Sequence, residues 1–375
     1  MIEQIEINDQ TSYPGKLAVL QRVLPSYRVP FFDMLAEKCA GGLSLAAGEP
    51  RPDEAIDTTS GLKTAQFQPL MNIHLLKGKS YLCWQKGLLH WLQSFNPDSL
   101  VVEANPRYLS TRKAISWMKT MDKPVIGWGL GSAPTEGPLK SIRISLRKKF
   151  LHHFDALIAY SQQGLEQYRS LGFPAEKIFI AHNAVAPKPT QPPIIRSDTS
   201  QNQPGILFVG RLQERKRIDL LIRACSNLPQ EIKPKLVIIG DGPEKRALQD
   251  LAEKIYPSAL FTGALHGKEL EPYFKAADIF VLPGTGGLAI QQAMGWSLPV
   301  ITAEGDGTQQ DLVRKENGWQ VAPGDQKALE LTLQEALSDV PRLRSMGLES
   351  YRIVSEEINL ESMVSTFITA LNKTS

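Results

Sequence analysis

Twelve short apolar, β-branched runs, each followed by a turn signal and then a helical pattern, constrain this chain more than any other feature. Strands that alternate with helices pair in parallel, because each crossover helix returns the chain to the same sheet edge. In the first half the runs fall at 16–21, 43–48, 99–104, 124–129, 156–161 and 177–183. In the second half they fall at 206–210, 235–240, 259–263, 278–283, 299–302 and 318–323. The expected fold class is therefore α/β, with two Rossmann-like, doubly wound parallel sheets that face one another across a crevice. Ligand loops in such sheets follow the carboxyl ends of the strands.

Between the two sets lies "AVAPKPTQPPIIRSDTSQNQPG", rich in Pro, Ser, Gln and Asn and without periodicity. It reads as a linker, and the expected division is a first domain at 1–187, a linker at 188–204 and a second domain at 205–355. The last segment, about 356–375, carries Met363, Phe367 and Leu371 on one helical face and is free to pack back on either domain. A length of 375 residues suits two cores of ordinary size. A formal net charge of +3 argues against a dedicated nucleic-acid binder. Three scattered cysteines, Cys39, Cys83 and Cys225, give neither a disulfide framework nor metal-ligand spacing. The opening residues lack the basic and apolar segments of a signal peptide, and no apolar run approaches the ~18 residues of a membrane span. A cytoplasmic protein is expected, with no metal and no cofactor.

Chemistry is concentrated in three loops of the second half. After "ILFVG", ending at Gly210, come Arg211 and Lys216, two cations on a loop that leads into a helix, where charge, donors and dipole suit a diphosphate. A solvated basic turn is the plainer reading. The second loop is Gly240, Asp241 and Gly242, followed by Pro243 near the first helical position and Glu244 in the first turn. It reads either as a strand-to-helix turn or as a border of the crevice. The third is "PGTGGL", in which Gly284, Thr285, Gly286 and Gly287 let backbone N–H groups approach an anion before a helix begins at about Leu288.

The segments "GRLQERK", "IIGDGPEKRAL", "FTGALHGKELEPYFKAADIFVLP", "AMGWSLPVI" and "NGWQVAPGD" resemble, in order and spacing, the donor half of the GT-B glycosyltransferases, closest to the retaining family 4. "LPSYRVPFFDMLAE" and "FDALIAYSQQGLEQYRSLGFPAEKIFIAHNAV" extend the resemblance through the first half. It implies a nucleotide-diphosphate sugar as donor, a glycan or lipid-linked acceptor, and Arg211 and Lys216 on the donor diphosphate. Retaining transfer of this kind lets the departing phosphate take the acceptor proton, so stabilising that phosphate is the main catalytic task.

Two departures stand out. The family carries two glutamates eight positions apart in the third loop and its helix; here those positions are Gly284 and Gln292. It also often carries a histidine after the strand matching "PVIGWGLG", where this chain has Gly129 and Leu130. His90, His152 and His153 lie in helical patterns, and His182 ends a strand. Glu103, at a strand exit in "VVEANPR", is the remaining acid suited to catalysis, or else an anchor for Arg107 or Arg112.

The segment 139–154 interleaves Lys140, Arg143, Arg147, Lys148 and Lys149 with apolar residues. It fits either a solvated helix face or a peripheral seat on the inner face of an anionic membrane. The sequence thus favours a glycosyltransferase of polysaccharide or glycolipid assembly. A sugar-nucleotide-binding protein that has lost transfer, and a nucleotide-sugar epimerase, are the rival readings.

Overall fold

The computed structural model describes residues 11–375 apart from Ala55, the Lys79 side chain, residues 133–136, Pro138, residues 198–202, Gly287 and Asp306. The chain divides into two units, Met1–Val185 with Leu360–Ser375, and Ala186–Asn359.

The first unit contains β1 (Leu17–Leu20), β2 (Leu43–Ala47), β3 (Gln66–Pro69), β4 (Met71–Leu75), β5 (Leu82–Lys86), β6 (Ser99–Glu103), β7 (Val125–Gly129), β8 (Ala156–Ala159) and β9 (Ile178–Ile180). Seven of these form a parallel sheet in the order β3-β2-β1-β6-β7-β8-β9. The second unit contains β10 (Gly205–Val209), β11 (Lys235–Ile239), β12 (Leu260–Gly263), β13 (Ile279–Leu282), β14 (Val300–Ala303) and β15 (Gly318–Val321). They are also all parallel, in the order β12-β11-β10-β13-β14-β15. Helices cover both faces of such sheets, so their central strands are apolar throughout. Every residue of β1, β2, β8, β13 and β14 is buried.

Each of the twelve apolar runs overlaps a strand of these two sheets. The sequence reading missed β3 and the antiparallel pair β4–β5. β3 is a polar edge strand, "QFQP", with no residue fully buried. β4 does alternate, with Met71, Ile73 and Leu75 exposed, but its apolar face is turned outward, away from the core that such a pattern ordinarily marks. The three cysteines are free and buried.

The segment expected as a linker is held to the second unit. The Arg196 guanidinium donates to the carbonyls of Ser297, Phe274 and Trp296 at 2.8, 2.8 and 3.0 Å. Ile194 N–H donates to Ser297 Oγ at 2.9 Å, and the Tyr351 hydroxyl to the Gln191 carbonyl at 2.5 Å. Burial lowers the Arg196 guanidinium to about 10, helped by the charge of Arg344. A composition that looks like a tether is a strap, fixed by one half-buried arginine whose two terminal nitrogens find carbonyl partners. The helix Leu360–Thr374 returns to the first unit, where Phe367 meets Phe31 and Trp128 edge-on with ring centroids 5.0 Å apart in both cases.

Phe367 is fully buried, so Phe367→Ala removes contacts that no neighbour can replace. It should destabilise the first unit by ~3–5 kcal/mol. Urea unfolding followed by tryptophan fluorescence reads this as an earlier transition for that unit, and an unchanged midpoint would mean the terminal helix does not complete its core.

Candidate functional site

Strand order in the second sheet reverses direction between β10 and β13. The crossovers leaving these neighbours run opposite ways, which opens a space at their carboxyl ends. The loops after β10 and β11 are tied together at close quarters. A Cβ on Gly240 would collide with the carbonyl of Gly210, and one on Gly242 with that of Leu212. Leu212 N–H donates to the Asp241 carbonyl at 2.9 Å, and Glu244 N–H to the Leu212 carbonyl at 3.1 Å. Gly240 and Gly242 are thus required by backbone packing, and Gly210 by its φ of +154. The Asp241 carboxylate accepts from Lys245 at 2.6 Å and from Gly242 N–H at 2.8 Å, and both interactions hold it below its usual range. The helix here starts at Lys245, one residue beyond Glu244, which caps it without a side-chain bond.

The loop after β13 rests on the short turn Glu214–Lys216. Thr285 N–H donates to the Arg215 carbonyl at 2.9 Å. A Cβ on Gly284 would collide with that same carbonyl and stand 2.5 Å from the Lys216 carbonyl carbon. A Cβ on Gly286 would stand 2.5 Å from Lys216 Nζ and 3.3 Å from an Arg215 guanidinium nitrogen. Gly286 has φ +97, a conformation other residues rarely adopt. The structure therefore brings Gly284, Thr285, Gly286 and Lys216 together. Gly287 lies outside the described residues, and Leu288, half exposed, opens the helix Leu288–Gly295.

Burial, and then the neighbouring Arg215 charge, lower the Lys216 ammonium to about 8. Among the described residues no acid pairs with it. Arg211 is exposed at the exit of β10, also without a hydrogen-bonding or ionic partner among them. An unmatched Lys216 ammonium, set beside the Arg215 charge and a glycine-lined backbone, suits an anion, which would relieve that repulsion. Gln292 is set differently. It lines a cavity of about 130 Å³ with Pro187, Pro189, Gln191, Trp296 and Ile358, against the strap.

In the first sheet the reversal lies between β1 and β6. Glu103 ends β6 and accepts from Arg22 N–H, just past β1, at 2.6 Å. Burial raises its carboxyl to about 7, restrained by that hydrogen bond and by the charges of Arg22 and Arg28. Neither Arg107 nor Arg112, the anchors weighed from sequence, is its partner. Arg22 pairs with Glu54 at 2.7 Å. Burial works against the Arg22 charge, but the Glu54 bond together with the charges of Tyr108, Glu54 and Tyr81 outweighs it, so the guanidinium is held more firmly protonated. Arg28 is buried with its guanidinium 5.1 Å from the Trp128 ring and 5.4 Å from that of Tyr160, and it donates to Asn183 Oδ1 at 2.5 Å. Sequence reading passed over Arg22, Arg28 and Glu54. The available signal was a cation one or two residues past an apolar strand or inside an aromatic stretch. The missing histidine has a steric counterpart, since a Cβ on Gly129 would stand 2.9 Å from the Tyr168 hydroxyl. His182 lies half-buried beyond β9.

Residues 203–339 match the family model "Glycosyl transferases group 1". Sulfoquinovosyl transferase SQD2 of Arabidopsis thaliana is 32% identical over 150 residues, 38% of this chain and 28% of that protein. A GDP-mannose-dependent alpha-mannosyltransferase of Corynebacterium glutamicum is 41% identical over 97 residues, 25% of this chain and 22% of that one. These matches thus span less than a third of either relative. Among solved structures, Anabaena HepE in complex with UDP superposes with a TM-score of 0.68 at 15% identity, covering 96% of this chain and 99% of that one. Sucrose-phosphate synthase from Thermosynechococcus elongatus gives 0.68 at 17%, covering 96% and 98%. At these identities the structures establish the fold, two parallel-sheet domains of the GT-B type.

A bound anion raises the Lys216 pKa, so above about 8 the complex holds a proton that the free protein lacks. Affinity for an anion such as sulfate should therefore fall as pH rises through 8 to 10, with proton uptake on binding. Calorimetry in buffers of different ionisation heat reads this directly. Lys216→Arg, charged throughout the range, should flatten the dependence, and an unchanged slope would remove Lys216 from the site.

Proposed function

With residues 203–339 a group 1 glycosyl transferase domain on a GT-B fold, we propose that the chain transfers a sugar from a nucleotide-diphosphate sugar to a glycan or lipid-linked acceptor. The setting is polysaccharide or glycolipid assembly. The observation that carries this reading is the Lys216 ammonium, lowered to about 8 and set against the Gly284–Gly286 loop with no acid paired to it among the described residues. A diphosphate supplies the missing negative charge, and the backbone N–H groups of the loop add donors. Arg211, at the exit of β10, is the second cation toward the same phosphates.

In the proposed reaction the bond from the sugar anomeric carbon to the phosphate oxygen breaks, and the bond to the acceptor oxygen forms on the same face. The acceptor proton passes to the departing phosphate oxygen, so the configuration is retained. Charge grows on that phosphate as the bond lengthens, and Lys216 and Arg211 stabilise it more in the transition state than in the ground state. In the first unit, Glu103 with a pKa near 7 is able either to accept or to donate a hydrogen bond to an acceptor hydroxyl at neutral pH.

Several neighbours in fold were solved with UDP or UDP-glucose, which makes these suitable first probes. Lys216→Ala and Arg211→Ala should each lower UDP affinity ~10- to 100-fold, the loss of a charge-assisted contact. Transfer should fall roughly 100- to 1,000-fold, while melting without ligand stays near wild type. Release of nucleoside diphosphate only when an acceptor extract is present separates transfer from plain binding, and interconversion of the sugar without acceptor would mark an epimerase instead. Unchanged UDP affinity in both variants would end the donor-site assignment.

The same proposal places the acceptor at an anionic membrane surface. The helix Lys140–Leu151 buries only Phe150 and Leu151 and exposes Ile142 and Leu146, with Leu139 just before it, among its cations. Arg112, Lys119, Lys149 and His153 line a groove between this helix and Leu109–Thr120. No helix of the described residues is long and apolar enough to cross a membrane. Sedimentation with phosphatidylglycerol-containing liposomes should capture the protein, and Lys140→Glu, Lys148→Glu, Lys149→Glu together should abolish that capture. Equal partitioning of variant and wild type would leave a solvated helix face.

A further inference from the structure

The loop after β13 has no acid and no room for one, because the backbone of Arg215 and Lys216 occupies the space beside Gly284. A donor sugar held there would still present hydroxyl groups that need acceptors. The neighbouring strand carries a carboxylate at the matching level. β13 and β14 pair in parallel with Phe280 opposite Val300, Val281 opposite Ile301 and Leu282 opposite Thr302. Two residues further along each chain are Gly284 and Glu304. Adjacent strands lie ~4.8 Å apart, a separation that one glutamate side chain spans.

Glu304 is held in place by its backbone and left open at its side chain. Its N–H donates to the Val321 carbonyl at 2.9 Å, which extends the β14–β15 ladder one residue past the end of the strand. Next to it a Cβ on Gly305 would collide with the buried Gln309 side chain, so the backbone here lies directly against the helix Thr308–Leu312. The Glu304 side chain is exposed, and among the described residues it has no hydrogen bond or ion pair. Some acids of this unit differ in that respect. Asp241 is tied to Lys245, Asp278 to Arg344, and Glu357 to Arg314 and Arg352. Two residues before Glu304, Thr302 is fully buried and its hydroxyl has no partner, so polar capacity remains at this end of β14.

We propose that Glu304 is the sugar-reading carboxylate of the site, accepting hydrogen bonds from hydroxyls of the donor hexose in place of an acid at position 284. The proposal rests on the donor-site reading above and adds a division of labour. Lys216 and Arg211 hold the diphosphate, and Glu304 distinguishes a nucleotide that carries a hexose from one that does not. A carboxylate on the next strand approaches the ligand from the β14 side, so it avoids the position packed against Lys216 and leaves the ammonium without a counter-ion.

The test compares UDP with UDP-glucose, and GDP with GDP-mannose, on the full chain by calorimetry. For the pair that wild type binds, Glu304→Gln should leave the diphosphate dissociation constant within about twofold, since no phosphate contact changes. It should weaken the sugar nucleotide ~10-fold, the scale of a hydrogen bond to a charged group. Glu304→Asp, one methylene shorter, should recover part of that loss. Equal effects on both ligands, or none on either, overturn the role of Glu304 while the diphosphate site stands on Lys216→Ala. Failure of wild type to bind any of the four probes overturns the donor-site reading and this inference with it. The melting temperature of each variant without ligand separates these outcomes from misfolding.

Discussion

One backbone contact organises the second unit's ligand loops. Thr285 N–H meets the Arg215 carbonyl, and Gly284 packs without a side chain against the Arg215–Lys216 peptide. The contact draws the turn after β10 and the loop after β13 into one surface, and it carries the Lys216 ammonium to Gly286. The rest follows by exclusion. A side chain at 284 would part the two loops, and one at 286 would displace the ammonium. Glycine at these positions therefore reports the proximity of a cation as much as it reports backbone freedom.

The two sheets use their reversal points in opposite electrostatic senses. At the β10–β13 reversal the free charges are cations, and burial beside Arg215 leaves Lys216 easier to deprotonate than an ordinary lysine. At the β1–β6 reversal the perturbed group is an acid, Glu103, which burial makes harder to ionise despite two arginines nearby. Each shift measures how poorly the resting protein compensates a charge. Structural ion pairs show the reverse pattern, as where Arg22 and Arg51 hold Glu54 low against its burial. The uncompensated groups are the ones that gain by meeting a ligand.

The strands of both large sheets were legible in sequence wherever they are buried on both faces, because burial there requires unbroken apolar runs. The signal fades where that requirement lapses. β3 is an edge strand with polar residues, and the outward apolar face of β4 mimics a pattern that ordinarily points inward. The strap at 188–197 was misread for a related reason. Three prolines among its ten residues give it the look of a tether, yet Arg196 fixes it by donating to three carbonyls. Arg211, Lys216 and the glycines were legible as types at strand exits. Which of them touch was not, since the approach of Gly284 to the 215–216 peptide depends on how two loops 70 residues apart in sequence are brought together by adjacent strands.

The absence of an acid at 284 also changes what Lys216 costs the protein. An adjacent carboxylate would pair with the ammonium and hold its pKa up; without one, the folded state keeps a half-buried cation beside a second cation. Between pH 8 and the ordinary lysine range the unfolded chain binds more protons at this residue than the folded one, so stability contributed here rises with pH across that window. At neutral pH the full destabilisation is present, and a bound anion would remove it. In the proposed donor site, anion affinity is stored in the folded protein as unfavourable electrostatics, and a carboxylate on the neighbouring strand leaves that store intact while offering an acceptor to a sugar. On that proposal the packing of Gly284 and the position of Glu304 answer one constraint: the cation stays unpaired until the ligand arrives.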